Sequence, residues 1–336
     1  MESRPPIHTS EGDSKVERLK KSSLKTRLIT AIIFAAIAIG VISVPGNPGI
    51  YVFQAALLVL TIIGTFEMVK LIERNKKIGA LPVVVIFVLT AINFLNVAVF
   101  QEIFNNIDNA ININVIGIKI DYLPLILINI IVLLSLTVFC RSFDSNDAAK
   151  AIMTIFYVGF GMTAIMILRL WGTKFVVYAI LISSLTDIFA YFIGSMFGKR
   201  KMCPNISPKK SWEGAIGGTV CATVIASCFA IFYGNIFPND TFFNQFNQLT
   251  LLDNFPAIMH LHQLTIALII IPITLIGSIV SQIGDLIASR MKRTNNIKDF
   301  GNLFPGHGGV LDRLDSLMFL SLYLVGIFLV FNGLPA

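Results

Sequence analysis

Along this chain the apolar residues come in long uninterrupted runs, and the polar ones gather between them. The runs fall near 28–45, 50–71, 80–100, 122–140, 151–169, 175–197, 214–237, 263–287 and 314–333. A helix needs about 20 apolar residues to cross the hydrocarbon core of a bilayer. The runs have that length, and they lack the alternation of a membrane barrel strand. Lipid admits only helices or closed barrels, so the pattern predicts an all-α integral membrane protein, a polytopic bundle of about nine transmembrane helices. The same pattern divides the chain. A polar, disordered cytoplasmic tail is expected at 1–26, N-terminal transmembrane helices at 27–174, and at 175–336 a region with the candidate chemistry and the loops 198–213 and 288–313.

Composition agrees. Of 336 residues 55% are hydrophobic and only 13% charged, too few to clothe a water-soluble protein of this size. Charge adds an orientation. With the amino end inside, all but three of the 26 Lys and Arg face the cytoplasm, the exceptions being Lys119, Arg169 and Lys174. The first run follows a basic segment and shows no small-residue cleavage pattern, so it reads as an uncleaved span. The four cysteines form no CxxC pair, which argues against a zinc or redox framework.

Polar residues concentrate in three places. Two aspartates interrupt apolar runs: Asp187 in "SSLTDIFAYFIG", with Tyr191 and Gly194 on the same helical face, and Asp285 in "SQIGDLIASRMKR", whose face holds Ser281, Ser289 and Lys292. A carboxylate in a span costs roughly 2.5–3.5 kcal/mol on insertion scales and marks a site by default; the plainer account is an ion pair at the membrane edge. The second concentration is "GKRKMCPNISPKKSWEGAIGG". Ser207-Pro208 reads as a turn or helix start. Lys209 and Lys210 beside Gly214, Gly217 and Gly218 suit a phosphate, although basic inner loops also dock anionic lipid. The third holds Lys292, Arg293, Lys298 and a His307-Gly308-Gly309 turn before Asp312, Arg313 and Asp315. Asp312 and Asp315, three apart at a helix start, project from the same side. A carboxylate pair suits Mg²⁺, which takes one or two carboxylates with water and phosphate oxygens; a helix dipole alone also favours acids there.

The stretch "SRMKRTNNIKDFGNLFPGHGGVLDRLD", Ser289 to Asp315, resembles the signature of the phosphatidate cytidylyltransferases, or CDP-diacylglycerol synthases, at every fixed position. "DIFAYFIGSMFGKRK" and "ISPKKSWEG" are similar to further family segments, with Ser211 where Thr is commoner, so the likeness covers about 185–316. It implies Mg²⁺-dependent reaction of CTP with phosphatidate to give CDP-diacylglycerol and pyrophosphate, at a site facing the cytoplasm of a bacterial inner membrane. Asp285, Asp312 and Asp315 would hold the metal and, with Lys298 and His307, form the catalytic set. Ser207, Lys209, Lys210, Ser289, Lys292, Arg293 and Arg313 would bind substrate phosphates. Asp187 and Tyr191 would line the polar cleft, where a second cation such as K⁺ is admitted. Membrane lipids are expected partners, nucleic acid is not, and a homodimer stays open. A transporter would also place aspartates in spans, but nearer the midplane on interrupted helices.

Overall fold

The apolar runs become helices because a backbone in lipid must satisfy its own hydrogen bonds. The computed structural model of the chain describes residues 30–332 apart from 31, 75, 101–114, 239–243, 245–247, 256–257, 259–260 and 304–307. Among the described residues eight helices are long and apolar enough to cross a membrane. The first expected run appears as a shorter apolar helix, α1 (Ile32–Ile42). Next come α2 (Gly46–Ile72), α3 (Ala80–Leu95, prolonged by a 3-10 turn to Phe100) and α4 (Tyr122–Phe139). The following span joins α5 (Ser145–Thr154) to α6 (Gly161–Trp171) through a π-helical turn at Ile155–Phe160. It starts ahead of the apolar run because Asp144 and Asp147 form a reciprocal capping box.

The C-terminal half contains α7 (Thr173–Phe197), α8 (Trp212–Ile231), the short α9 (Tyr233–Ile236), α10 (Gln263–Thr294) and α11 (Leu311–Asn332). Helix α7 meets α8 backbone to backbone. A Cβ at Gly214 would lie 2.6 Å from the Ala190 carbonyl, and one at Gly218 would lie 2.7 Å from that of Thr186. In lipid such seams of small residues are what let helices associate closely. These glycines therefore admit a helix, not the phosphate that the sequence suggested. Hydroxyls complete the seam: Thr186 with Ser278 at 2.7 Å, Tyr178 with Thr274 at 2.6 Å, and Gln282 Nε2 donating to Thr219 at 2.7 Å. Together they tie α7, α8 and α10.

The loop at 198–213 is a β-hairpin, not a turn leading into a helix. Strand β1 (Lys201–Cys203) pairs antiparallel with β2 (Ser207–Ser211), in register Lys201 with Ser211 and Cys203 with Ser207. Glu213 closes its base by accepting the Lys199 and Arg200 amides at 3.1 and 3.2 Å, and Ser211 caps α8 at Gly214 N. The stretch at 288–313 is likewise not all loop. Helix α10 runs on through Ser289, Lys292 and Arg293 to Thr294, and α11 starts at Leu311.

Candidate active site

Four elements converge at the end of the bundle that carries the hairpin. Helix α7 brings Asp187 and Tyr191, β2 brings Lys209 and Lys210, and the last turns of α10 bring Asp285, Ser289, Lys292 and Arg293. The first turns of α11 bring Asp312, Arg313 and Asp315.

The carboxylates are held by cations from other elements. Lys210 is ion-paired to Asp285, which joins hairpin to α10, and Ser289 Oγ lies 3.5 Å from the same carboxylate. Lys292 Nζ donates to Asp312 Oδ1 at 2.7 Å across α10 and α11, with side chains only 11% and 3% exposed. The other oxygen of Asp312 accepts the Phe300 and Gly309 amides at 2.8 and 2.9 Å. Lys292 also sits 5.2 Å from the centre of the Phe300 ring. Asp315 is buried and accepts the Ser316 amide at 2.7 Å. Asp187 and Asp315 lie close enough to Asp285 for their charges to interact, with Lys210 and Arg313 near Asp187 and Lys292 near Asp315. Arg293 reaches the hairpin turn, donating to the Ile206 carbonyl at 3.3 Å.

The structure thus brings together Asp187, Lys210, Asp285, Ser289, Lys292, Asp312, Arg313 and Asp315. Tyr191 is exposed on α7, Lys209 and Lys298 are exposed, and Ser207 lies at the far end of β2 opposite Cys203. His307 lies outside the described residues.

In this arrangement the carboxylates that the resemblance assigns to a divalent ion are engaged by protein donors. Mg²⁺ demands near-octahedral oxygen ligands. Asp312 already serves an ammonium and two amides, and Asp285 serves Lys210. Among the described residues no three His, Cys, Asp or Glu side chains are placed to hold a metal ion.

Two features escaped the sequence reading. Glu67 of α2, only 4% exposed, accepts the Val310 and Leu311 amides at 2.9 and 3.0 Å. Its signal was available: a carboxylate inside an apolar run, the criterion that singled out Asp187 and Asp285. The second is an apolar cavity of about 710 Å³ between α1, α2, α6, α7 and α11, with Ser183, Ser184 and Arg313 in its wall. A cavity formed by five elements has no linear signature.

Comparison with known proteins agrees with this picture. The sequence pattern described as "Cytidylyltransferase family" matches residues 25–331. A phosphatidate cytidylyltransferase of Staphylococcus haemolyticus is 32% identical over 298 residues, covering 88% of this chain and 95% of that protein. One of Staphylococcus epidermidis is 31% identical over the same shares. One of Staphylococcus aureus is 38% identical over 189 residues, 56% of this chain and 62% of the relative. A match that takes in the site and all eight spans, with similarity along nearly the whole of two relatives, settles the affiliation: the chain belongs to the cytidylyltransferase family.

Proposed function

We propose that the chain transfers the CMP moiety of CTP to phosphatidate, giving CDP-diacylglycerol and pyrophosphate in phospholipid synthesis. The observation that carries this reading is the two ion pairs, Lys210 with Asp285 and Lys292 with Asp312, set beside an apolar cavity with Arg313 in its wall. The names of the relatives above supply the substrates. A phosphate oxygen of phosphatidate forms a bond to the α-phosphorus of CTP, and the bond from that phosphorus to the bridging oxygen breaks. The electron pair leaves with pyrophosphate. The attacking phosphate is already ionised at neutral pH, so no side chain has to remove a proton.

Such transfers depend on positioning and on neutralising charge. Lys210 serves both needs, because its carboxylate partner holds the ammonium group extended at the site before phosphate arrives, and the Lys292–Asp312 pair supplies positioning. Phosphatidate keeps its tails in lipid, and the cavity walled by α1, α2 and α7 receives them while Arg313 meets the headgroup. The basic loops at this end support a site on the cytoplasmic face of the membrane, taken as a bacterial inner membrane. Mg²⁺ stays outside this derivation. Its requirement is a separate proposal, inherited from the resemblance and tested by titrating initial rates with a chelator.

The test uses the full chain in vesicles containing phosphatidate, with CTP labelled at the α-phosphate. Wild type is expected to move label into extracted lipid, and Lys210→Ala and Asp285→Asn to slow it by about 10²-fold. No label in lipid from folded wild type overturns the reaction. Equal rates from all three overturn the site.

A further inference from the structure

We propose that Glu67 is a positioning residue for the transfer: from α2, it fixes the start of α11 and packs against Gly301 and Gly309 before it. The first amides of any helix have no partner within the helix. A cap normally comes from the residue just ahead, and here that residue is Val310, which has no side-chain acceptor. The cap arrives instead from more than 240 residues away, with one Glu67 oxygen on the Val310 amide and the other on Leu311. The preceding amide, Gly309, and that of Phe300 go to Asp312. Three consecutive amides and one from across the loop therefore end on two carboxylates, one from α2 and one from α11.

The loop is shaped to admit this side chain. A Cβ on Gly301 would lie 2.4 Å from Glu67 Oε1, and one on Gly309 would lie 2.2 Å from it. Neither glycine has a positive φ, so their need for a bare Cα comes from Glu67 itself. Asp312, Arg313 and Asp315 follow within one turn and a half, and Asp312 holds Lys292. Moving the anchor moves that whole group. Glu67 touches no reacting atom in this account; it acts through the loop.

The inference rests on the proposed transfer for its kinetic readout, so a second readout is independent of activity. In amide hydrogen exchange of folded protein in micelles, Glu67→Ala is expected to speed exchange in peptides spanning 300–311 and to leave α7 and α8 unchanged. In vesicles, kcat per molecule of folded enzyme is expected to fall roughly 10- to 100-fold, the scale of an ångström's misplacement. Glu67→Gln, which keeps one acceptor oxygen, should recover part of that loss. Gly309→Ala should be as damaging as Glu67→Ala, and adding it to Glu67→Ala should bring little further loss, because the obstructing carboxylate is gone. Unchanged exchange in 300–311 overturns the anchor, whatever the activity. Faster exchange with unchanged kcat in Glu67→Ala leaves Glu67 a purely structural cap and overturns positioning. Wild type with no transfer activity but the expected exchange pattern indicts the reaction and leaves the anchor standing.

Discussion

Replacing Asp312 with alanine tests the reasoning most directly, because one carboxylate holds three donors. The substitution strands the Lys292 ammonium and frees the Phe300 and Gly309 amides. The pair is only 11% and 3% exposed, so solvent does little to soften the loss. Removing one partner of a buried pair costs about 3–5 kcal/mol. Each buried amide left without an acceptor would add about 1–3 kcal/mol, but the donors share one loop and their losses do not add. Opening of the loop to water rehydrates the amides, so the ion pair sets the scale, about 3–5 kcal/mol. Removing the stranded ion as well should recover much of this. The expected order of stability is wild type, then Lys292→Ala with Asp312→Ala, then Asp312→Ala alone. Thermal unfolding in micelles, followed by the fluorescence of Trp171 and Trp212, reads the series, with a drop of roughly 5–10 °C for the single variant. A Tm within a degree of wild type, or a double variant no better than the single, would refute the claim that this pair is buried and mutually dependent.

Three further outcomes follow from other parts of the structure. Gly218→Val should cost about 1–3 kcal/mol or prevent assembly, since its Cβ would meet α7 backbone at 2.7 Å, while Gly40→Val, with nothing within 4 Å, should leave unfolding unchanged; size-exclusion profiles and Tm compare them. Outside the spans, Lys76 pairs with Asp144 at 3.2 Å and with Asp147 at 3.5 Å. Its hydrogen bond to Asp144 holds the Lys76 ammonium above its ordinary value, and the Asp147 amide, then Lys76, hold Asp144 below its own. The contribution of Asp144 is therefore complete above the ordinary carboxylate value of 3.8 and lost as pH falls below it, whereas that of Lys76 is complete below 10.5 and lost above; protease nicking near 73–79 should rise at both extremes and with salt. Leu317→Trp, which fills the cavity beside Arg313, should raise KM for long-chain phosphatidate and spare a short-chain form, measured in mixed micelles.

The spans were legible because lipid makes a simple demand, and eight of the nine expected runs appear as helices of spanning length. Their ends were not, because ends are set by local polar chemistry that hydropathy ignores. Asp144 starts a helix ahead of its apolar run, and α10 continues past Asp285 through Ser289 and Arg293. Ser207-Pro208 looked like a turn, yet Pro208 sits in a short, irregular edge strand, where a missing N–H does least harm. The site's residues were legible as a set, since charged groups in an apolar chain stand out. Their pairing was not. Helical spacing placed Lys292 on the face of Asp285, but the ion pairs run Lys210 to Asp285 and Lys292 to Asp312, between elements whose approach depends on the glycine seam and the hairpin.

That pairing also explains why the site is spread over so many elements. A lysine and a carboxylate one turn apart on a single helix form a pair worth only about 0.2–0.5 kcal/mol, and such a pair ties no two elements together. Here each cation and its carboxylate belong to different elements, Lys210 to the hairpin and Asp285 to α10, Lys292 to α10 and Asp312 to α11. An incoming phosphate can draw a lysine away without unwinding a helix, because a long side chain has only to swing. The exposure of the two pairs separates their tasks. The Lys210 and Asp285 side chains are about a quarter exposed, with the Lys210 Nζ itself buried against the carboxylate, whereas Asp312 is sealed and bonded to the loop. On this reading the first pair is the one that exchanges partners with substrate. The second, braced by Phe300, Gly309 and the neighbouring Glu67 cap, is the frame against which that exchange takes place.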